Sequence, residues 1–76
     1  MDPDFIKQCI EQGLETDYVE VTGDGRHFEA TIVSPRFRGL PKVRQHQLVY
    51  AALGDRMREE VHALSMRTLT PEEWKA

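Results

Sequence analysis

A chain of 76 residues, 39% hydrophobic and 30% charged, makes one domain over 1–76, near the lower size at which a core holds a fold without staples. No apolar run approaches the roughly 20 residues that span a bilayer, and a single cysteine makes neither an internal disulfide nor, alone, a zinc or iron–sulfur site. A net charge of −3 argues against a surface built throughout for phosphate backbones, while leaving room for a local basic patch.

The acidic start Met1-Asp2-Pro3-Asp4 lacks the basic and apolar blocks of a secretory signal, which points to the cytoplasm. Asp2 suits an N-cap with Pro3 at the first helical position, and Phe5, Ile6, Cys9 and Ile10 fall on one helical face before Gly13 ends it. Cys9 lies within that face as a small buried apolar residue. Alternation over Tyr18–Thr22 and over His27–Val33, with Gly23-Asp24-Gly25 between, predicts a β-hairpin with Val19 and Val21 facing Phe28, Ala30 and Ile32. His27 stands at the exit of that turn, opposite Phe28 and toward solvent.

Two prolines and a glycine make Ser34–Pro41 a connecting loop. A helix follows from Pro41 or Lys42, with Val43, His46, Val49, Tyr50, Leu53 and Met57 on one arc, so His46 is expected to be packed and hydrogen-bonded. Arg36, Arg38, Lys42 and Arg44 gather four cations around this helix start, either as a solvated face balanced by acidic residues elsewhere or as a place for nucleic-acid phosphate or a partner's acidic patch. Phe37 is the one aromatic among them, little for base stacking. Gly54-Asp55 breaks or kinks the helix, and Arg56–Glu60 adds a further turn or two.

Val61–Thr68 reads as a strand opening on a histidine, with His62, Leu64 and Met66 on one face and Val61, Ala63 and Ser65 on the other. Thr70, Pro71 and Glu73 form a capping box that starts a last helix, whose Trp74 is expected to dock on the sheet or a neighbouring helix. The order α-β-β-α-α-β-α makes the third strand parallel to its neighbour by a right-handed crossover. A two-layer α+β fold follows, with a three-stranded mixed sheet and its helices on one face.

The segments Phe37-Arg38-Gly39-Leu40-Pro41-Lys42-Val43-Arg44-Gln45-His46-Gln47-Leu48-Val49-Tyr50 and Val61-His62-Ala63-Leu64-Ser65-Met66-Arg67-Thr68-Leu69-Thr70-Pro71-Glu72-Glu73-Trp74 resemble the BolA family across essentially the whole chain. The hairpin Gly23-Asp24-Gly25-Arg26-His27-Phe28 resembles the short bacterial members associated with acid stress. The resemblance implies a class II KH-like fold and a partner, a monothiol glutaredoxin with a Cys-Gly-Phe-Ser site. It also implies a heterodimer in which a [2Fe-2S] cluster is bridged by the glutaredoxin cysteine and a glutathione thiolate. On this chain's side the family's strand histidine matches His62, and its second ligand, from the hairpin loop, matches His27. Neutral imidazole is a good iron ligand and raises the potential of a [2Fe-2S] cluster relative to thiolates alone.

Three functions are thereby in competition. A non-enzymatic adaptor, monomeric alone, that shares or transfers a cluster with a glutaredoxin comes first. A DNA- or RNA-binding stress regulator using Arg36, Arg38, Lys42 and Arg44 comes second, weakened because no Gly-X-X-Gly clamp occurs. An enzyme is not expected, since no nucleophile, base or carboxylate pair stands at a working spacing.

Overall fold

The computed structural model describes residues 2–76, and its sheet grows from three short strands threaded by helices. Helix α1 spans Pro3–Gly13, strands β1 and β2 span Tyr18–Gly23 and Phe28–Val33, α2 spans Lys42–Leu53, β3 spans Leu64–Leu69 and α3 spans Pro71–Lys75. Strand order is β1-β2-β3, with β1 antiparallel and β3 parallel to β2, the mixed three-stranded α+β sheet that the element order requires. No helix among the described residues is long and apolar enough to cross a membrane.

Local signals account for the starts of α1 and α3. The Asp2 side chain accepts from the Asp4 N–H at 2.9 Å and Pro3 occupies the first turn. Thr70 Oγ1 accepts from the Glu73 N–H at 3.2 Å while Glu73 accepts from the Thr70 N–H at 2.8 Å, closing the expected box. The expected α1 face is buried at Ile6, Cys9 and Ile10, but Phe5 lies outside it, 44% exposed.

Four expectations for the second half are corrected. The second helix buries Gln45, Val49, Ala52 and Leu53, whereas Val43 is 62% exposed and Tyr50 exposed, so its inner face is rotated from the most apolar arc. His46 is half-buried and its imidazole has no hydrogen-bond partner among the described residues. The helical turn expected over Arg56–Glu60 is instead a 3-10 turn over Gly54–Met57, followed by another over Val61–Ala63. Strand β3 consequently opens at Leu64 and not at Val61, which leaves His62 before the strand, because the Ala63 N–H is engaged by the Glu60 carbonyl at 2.8 Å and the facing strand β2 begins only at Phe28, the partner of Leu64. The expected facing of the Val61 side chain lies outside what the structure describes.

The core lies between the sheet and α1 with α2: Ile6 and Ile10 meet Val19, Phe28, Ile32, Val49 and Leu53. The expectation of helices on one face holds for α1 and α2 but not for α3. Trp74 stacks on Tyr18 with ring centroids 4.9 Å apart and planes 22° off parallel, while itself remaining 42% exposed. Tyr18 alternates with buried Val19 and pairs with Val33, which pairs with Leu69, so this row belongs to the outer face. Val33 is fully buried yet outside the main core cluster, as a residue under α3 should be.

Two contacts fix the helices. The fully engaged Gln45 amide accepts from Thr68 Oγ1 at 2.6 Å and donates to the carbonyls of Leu40 and Phe37 at 2.9 and 3.3 Å. At Gly13, an added Cβ would stand 2.7 Å from the Ala52 Cα, so α1 and α2 cross with no room for a side chain. Gly13→Ala, which favours an ordinary helix by propensity, is therefore expected to destabilise by about 1–3 kcal/mol through overpacking. Urea unfolding checks it, and an unchanged or raised midpoint would refute the close crossing. Gln45→Leu and Thr68→Val are each expected to cost about 1–3 kcal/mol by orphaning buried partners. The double variant should lose less than the sum, because the second change removes a group already orphaned; additive losses would show the two sites to be independent.

Candidate metal and partner surface

The loop between β1 and β2 is held by one carboxylate. Asp24 Oδ1 accepts from the N–H groups of Arg26 at 2.8 Å and His27 at 2.9 Å, and the Asp24 N–H donates to the His27 carbonyl at 3.2 Å. Those two backbone donors, His27 first, hold the Asp24 carboxyl below its ordinary value. Gly25 takes φ 94°, which the turn requires, and a Cβ on Gly23 would meet the Phe28 ring at 2.4 Å. The loop thus ends with His27 exposed, its backbone fixed and the next residue buried in the core.

His62 is exposed in the 3-10 turn just before β3. The parallel register pairs Phe28 with Leu64, so His27 stands one residue before that pair and His62 two residues before it. Two imidazoles 35 positions apart in sequence therefore emerge at the same end of two neighbouring strands. Among the described residues no three His, Cys, Asp or Glu side chains gather at one point. Cys9 is buried in the core and takes no part.

The four cations lie toward the opposite end of β3, about 17 Å away for five strand rises. Arg38 makes a bidentate pair with Glu72, at 2.7 Å from Nη2 and 3.0 Å from Nε, tying the loop before α2 to α3. Lys42 Nζ donates to the Thr68 carbonyl. Arg36 and Arg44 are exposed, Arg44 beside a shallow recess with Leu40, Gln47 and Leu48. Phe37 is fully buried and unavailable for stacking on a base. The sequence thus grouped four cations that the fold divides, among the described residues, into two engaged within the chain and two with no side-chain partner. Glu72, the partner that divides them, carried no signal beyond its place in the first turn of α3.

These features define a small α+β domain with a pair of solvent-facing histidines at one end of a parallel strand pair. The chain belongs to the BolA family: a family model described as BolA-like protein matches residues 10–73. It is 43% identical to the DNA-binding transcriptional regulator BolA of Haemophilus influenzae, over 93% of this chain and 82% of that one. A solved bolA protein homologue from Coxiella burnetii superposes with TM-score 0.88 at 44% identity, covering 100% of this chain and 99% of that one. Yeast Fra2 superposes with TM-score 0.78 at 28% identity, over 97% and 84%.

The Arg38 guanidinium, with help from the Glu72 N–H, lowers the Glu72 carboxyl to about 2 from an ordinary 4.5. A depressed carboxylate contributes stability that is complete above its unfolded value and lost as pH falls through the folded one. Glu72→Gln is therefore expected to lower the melting temperature modestly near neutral pH, with the gap to the parent closing between pH 4.5 and about 2. Thermal unfolding across that range checks it; a gap independent of pH would remove the ion pair as its source.

Proposed function

We propose that this chain is a non-enzymatic adaptor that binds a monothiol glutaredoxin and supplies His62, with His27 beside it, to a shared [2Fe-2S] cluster, serving iron–sulfur homeostasis and the stress response. The observation that carries the reading is the parallel register, which brings two exposed imidazoles from distant sequence to one end of the sheet. Membership of the BolA family and the family ligand positions matched by both histidines support it. The remaining ligands, a glutaredoxin cysteine and a glutathione thiolate, come from the partner, in keeping with a site too poor in donors to hold metal alone. When bound, the cluster supplies one-electron chemistry or is passed on; this chain binds, orients and donates nitrogen to it.

His27 is oriented by Asp24 through its backbone, which presents the ring without costing the loop an unsatisfied donor. His62 is presented by the last 3-10 turn, whose main chain is engaged by Glu60. Both rings are free of structural duties in the core. That is what a ligand offered to a second protein requires.

A second reading, a nucleic-acid-binding regulator, is favoured by the name of the Haemophilus relative and by the free cations Arg36 and Arg44. It ranks below the first because Arg38 and Lys42 are engaged within the chain.

Mixing the purified protein with a cluster-loaded monothiol glutaredoxin tests the first reading through visible absorption and size. His62→Ala is expected to abolish the mixed-ligand spectrum of the complex, and His27→Ala to loosen the cluster while glutaredoxin binding persists. Because both side chains are exposed, each variant should keep its stability within about 0.5 kcal/mol of the parent, which separates lost ligation from lost fold. An unchanged spectrum in stable His62→Ala would refute His62 as a ligand.

A further inference from the structure

Strand β3 is an edge strand, and its outer side is open. The Ser34 N–H donates to the Leu69 carbonyl at 3.0 Å, which turns the main chain of Leu69 toward the β2 side. Since both polar groups of a strand residue point the same way and alternate along it, those of Thr68 and Met66 point outward. The Lys42 bond to the Thr68 carbonyl agrees with that direction. The Met66 N–H and C=O have no main-chain partner among the described residues.

Beside this edge runs a recess of about 350 Å³ between the strand and the start of α2, lined by Lys42, His46, Met66, Arg67, Thr68 and Leu69. It joins half-buried apolar surface from Met66 and Leu69 to two cations, with no carboxylate in its wall. We propose that the β3 edge and this recess dock an extended acidic segment of a partner protein as a fourth strand. Its main chain pairs with Met66, its inward side chains lie on Met66, and its outward carboxylates meet Arg67.

Charge selects this occupant over others. A second copy adding its own β3 would bring Arg67 and Lys42 against like charges. The backbone of single-stranded DNA offers the edge acceptors without donors, whereas Met66 presents a donor and an acceptor together, and no aromatic lines the recess to hold a base whose edge could supply both. A peptide strand satisfies both main-chain groups. The site lies along the strand from the histidines and does not depend on cluster binding.

The probes are the peptide Ac-Val-Glu-Val-Glu-Val-Glu-NH2, its counterpart with lysine for glutamate, and a single-stranded oligothymidylate, each titrated into the full chain. Amide chemical shifts and hydrogen exchange are the readouts. The acidic peptide is expected to shift the amides of Met66 and Thr68 and to slow the exchange of Met66 about tenfold at saturation. Arg67→Glu, a change at an exposed position, should weaken the acidic peptide about tenfold and improve the lysine peptide. Equal binding of both peptides, indifference to Arg67→Glu, unmoved Met66 and Thr68 amides, or stronger protection of them by oligothymidylate would each overturn the proposal.

Discussion

The second half of this fold turns on one buried amide. Gln45 is 5% exposed and spends both ends of its side chain, taking the Thr68 hydroxyl on one side and giving to Leu40 and Phe37 on the other. A buried amide with a missing partner would cost about 1–3 kcal/mol, so the set holds together as a unit. It fixes three things at once: the fold of the loop around Phe37, the rotation of α2 about its axis, and the position of α2 against the end of β3. The rotation explains why the helix shows Val43 and Tyr50 to solvent while burying a glutamine and an alanine. With α2 so placed, Lys42 reaches the Thr68 carbonyl, and the chain returns along α2 to begin β3 at the far end of the sheet.

That return divides the molecule's chemistry. A parallel neighbour must start at the same end as its partner strand, so the residues just before β2 and just before β3 are neighbours whatever their separation in sequence. His27 and His62 are those residues. The cations, which belong to the loop and the helix start between the two strands, are left at the other end. A protein that engages the histidines and one that engages Arg36 and Arg44 therefore approach from different directions.

The sequence was readable wherever structure is decided within a few residues. The Asp2 cap, the Thr70–Glu73 box, the turn at Gly25 and the alternation of β2 each rest on groups no more than four or five positions apart. Reading failed where the deciding partner is remote. A helical wheel picks the most apolar arc, but α2 is oriented by Thr68, 23 residues from Gln45. Arg38 lay among the free cations until Glu72, 34 residues away, entered the account. Alternation ran back through His62 because nothing local marks where a ladder begins; that limit is set by the first residue of β2. Gly13 does end α1 as read, but the second use of its missing Cβ, the close crossing with Ala52, 39 residues on, had no local sign. The family resemblance supplied what local rules do not, since it pointed to both histidines before any register was in view.

A domain of this size has little surface that is not already committed. Inward, the sheet is covered by α1 and α2. Outward, α3 closes the row Tyr18–Val33–Leu69 through the Trp74 stack, and the other two rows, Thr22–Glu29–Ser65 and Glu20–Thr31–Arg67, are polar. An outer face of that composition resists the nonspecific burial that an exposed apolar sheet invites. What is left for selective contact is the rim: the histidine end, the exposed arginines at the start of α2, and the β3 edge. The edge is guarded at Thr68 by the Lys42 ammonium, a charge of the kind that keeps identical strands from pairing. In the docking proposed above, Arg67 beside it meets a strand of opposite sign, so the two cations divide protection from self-association and selection of a partner.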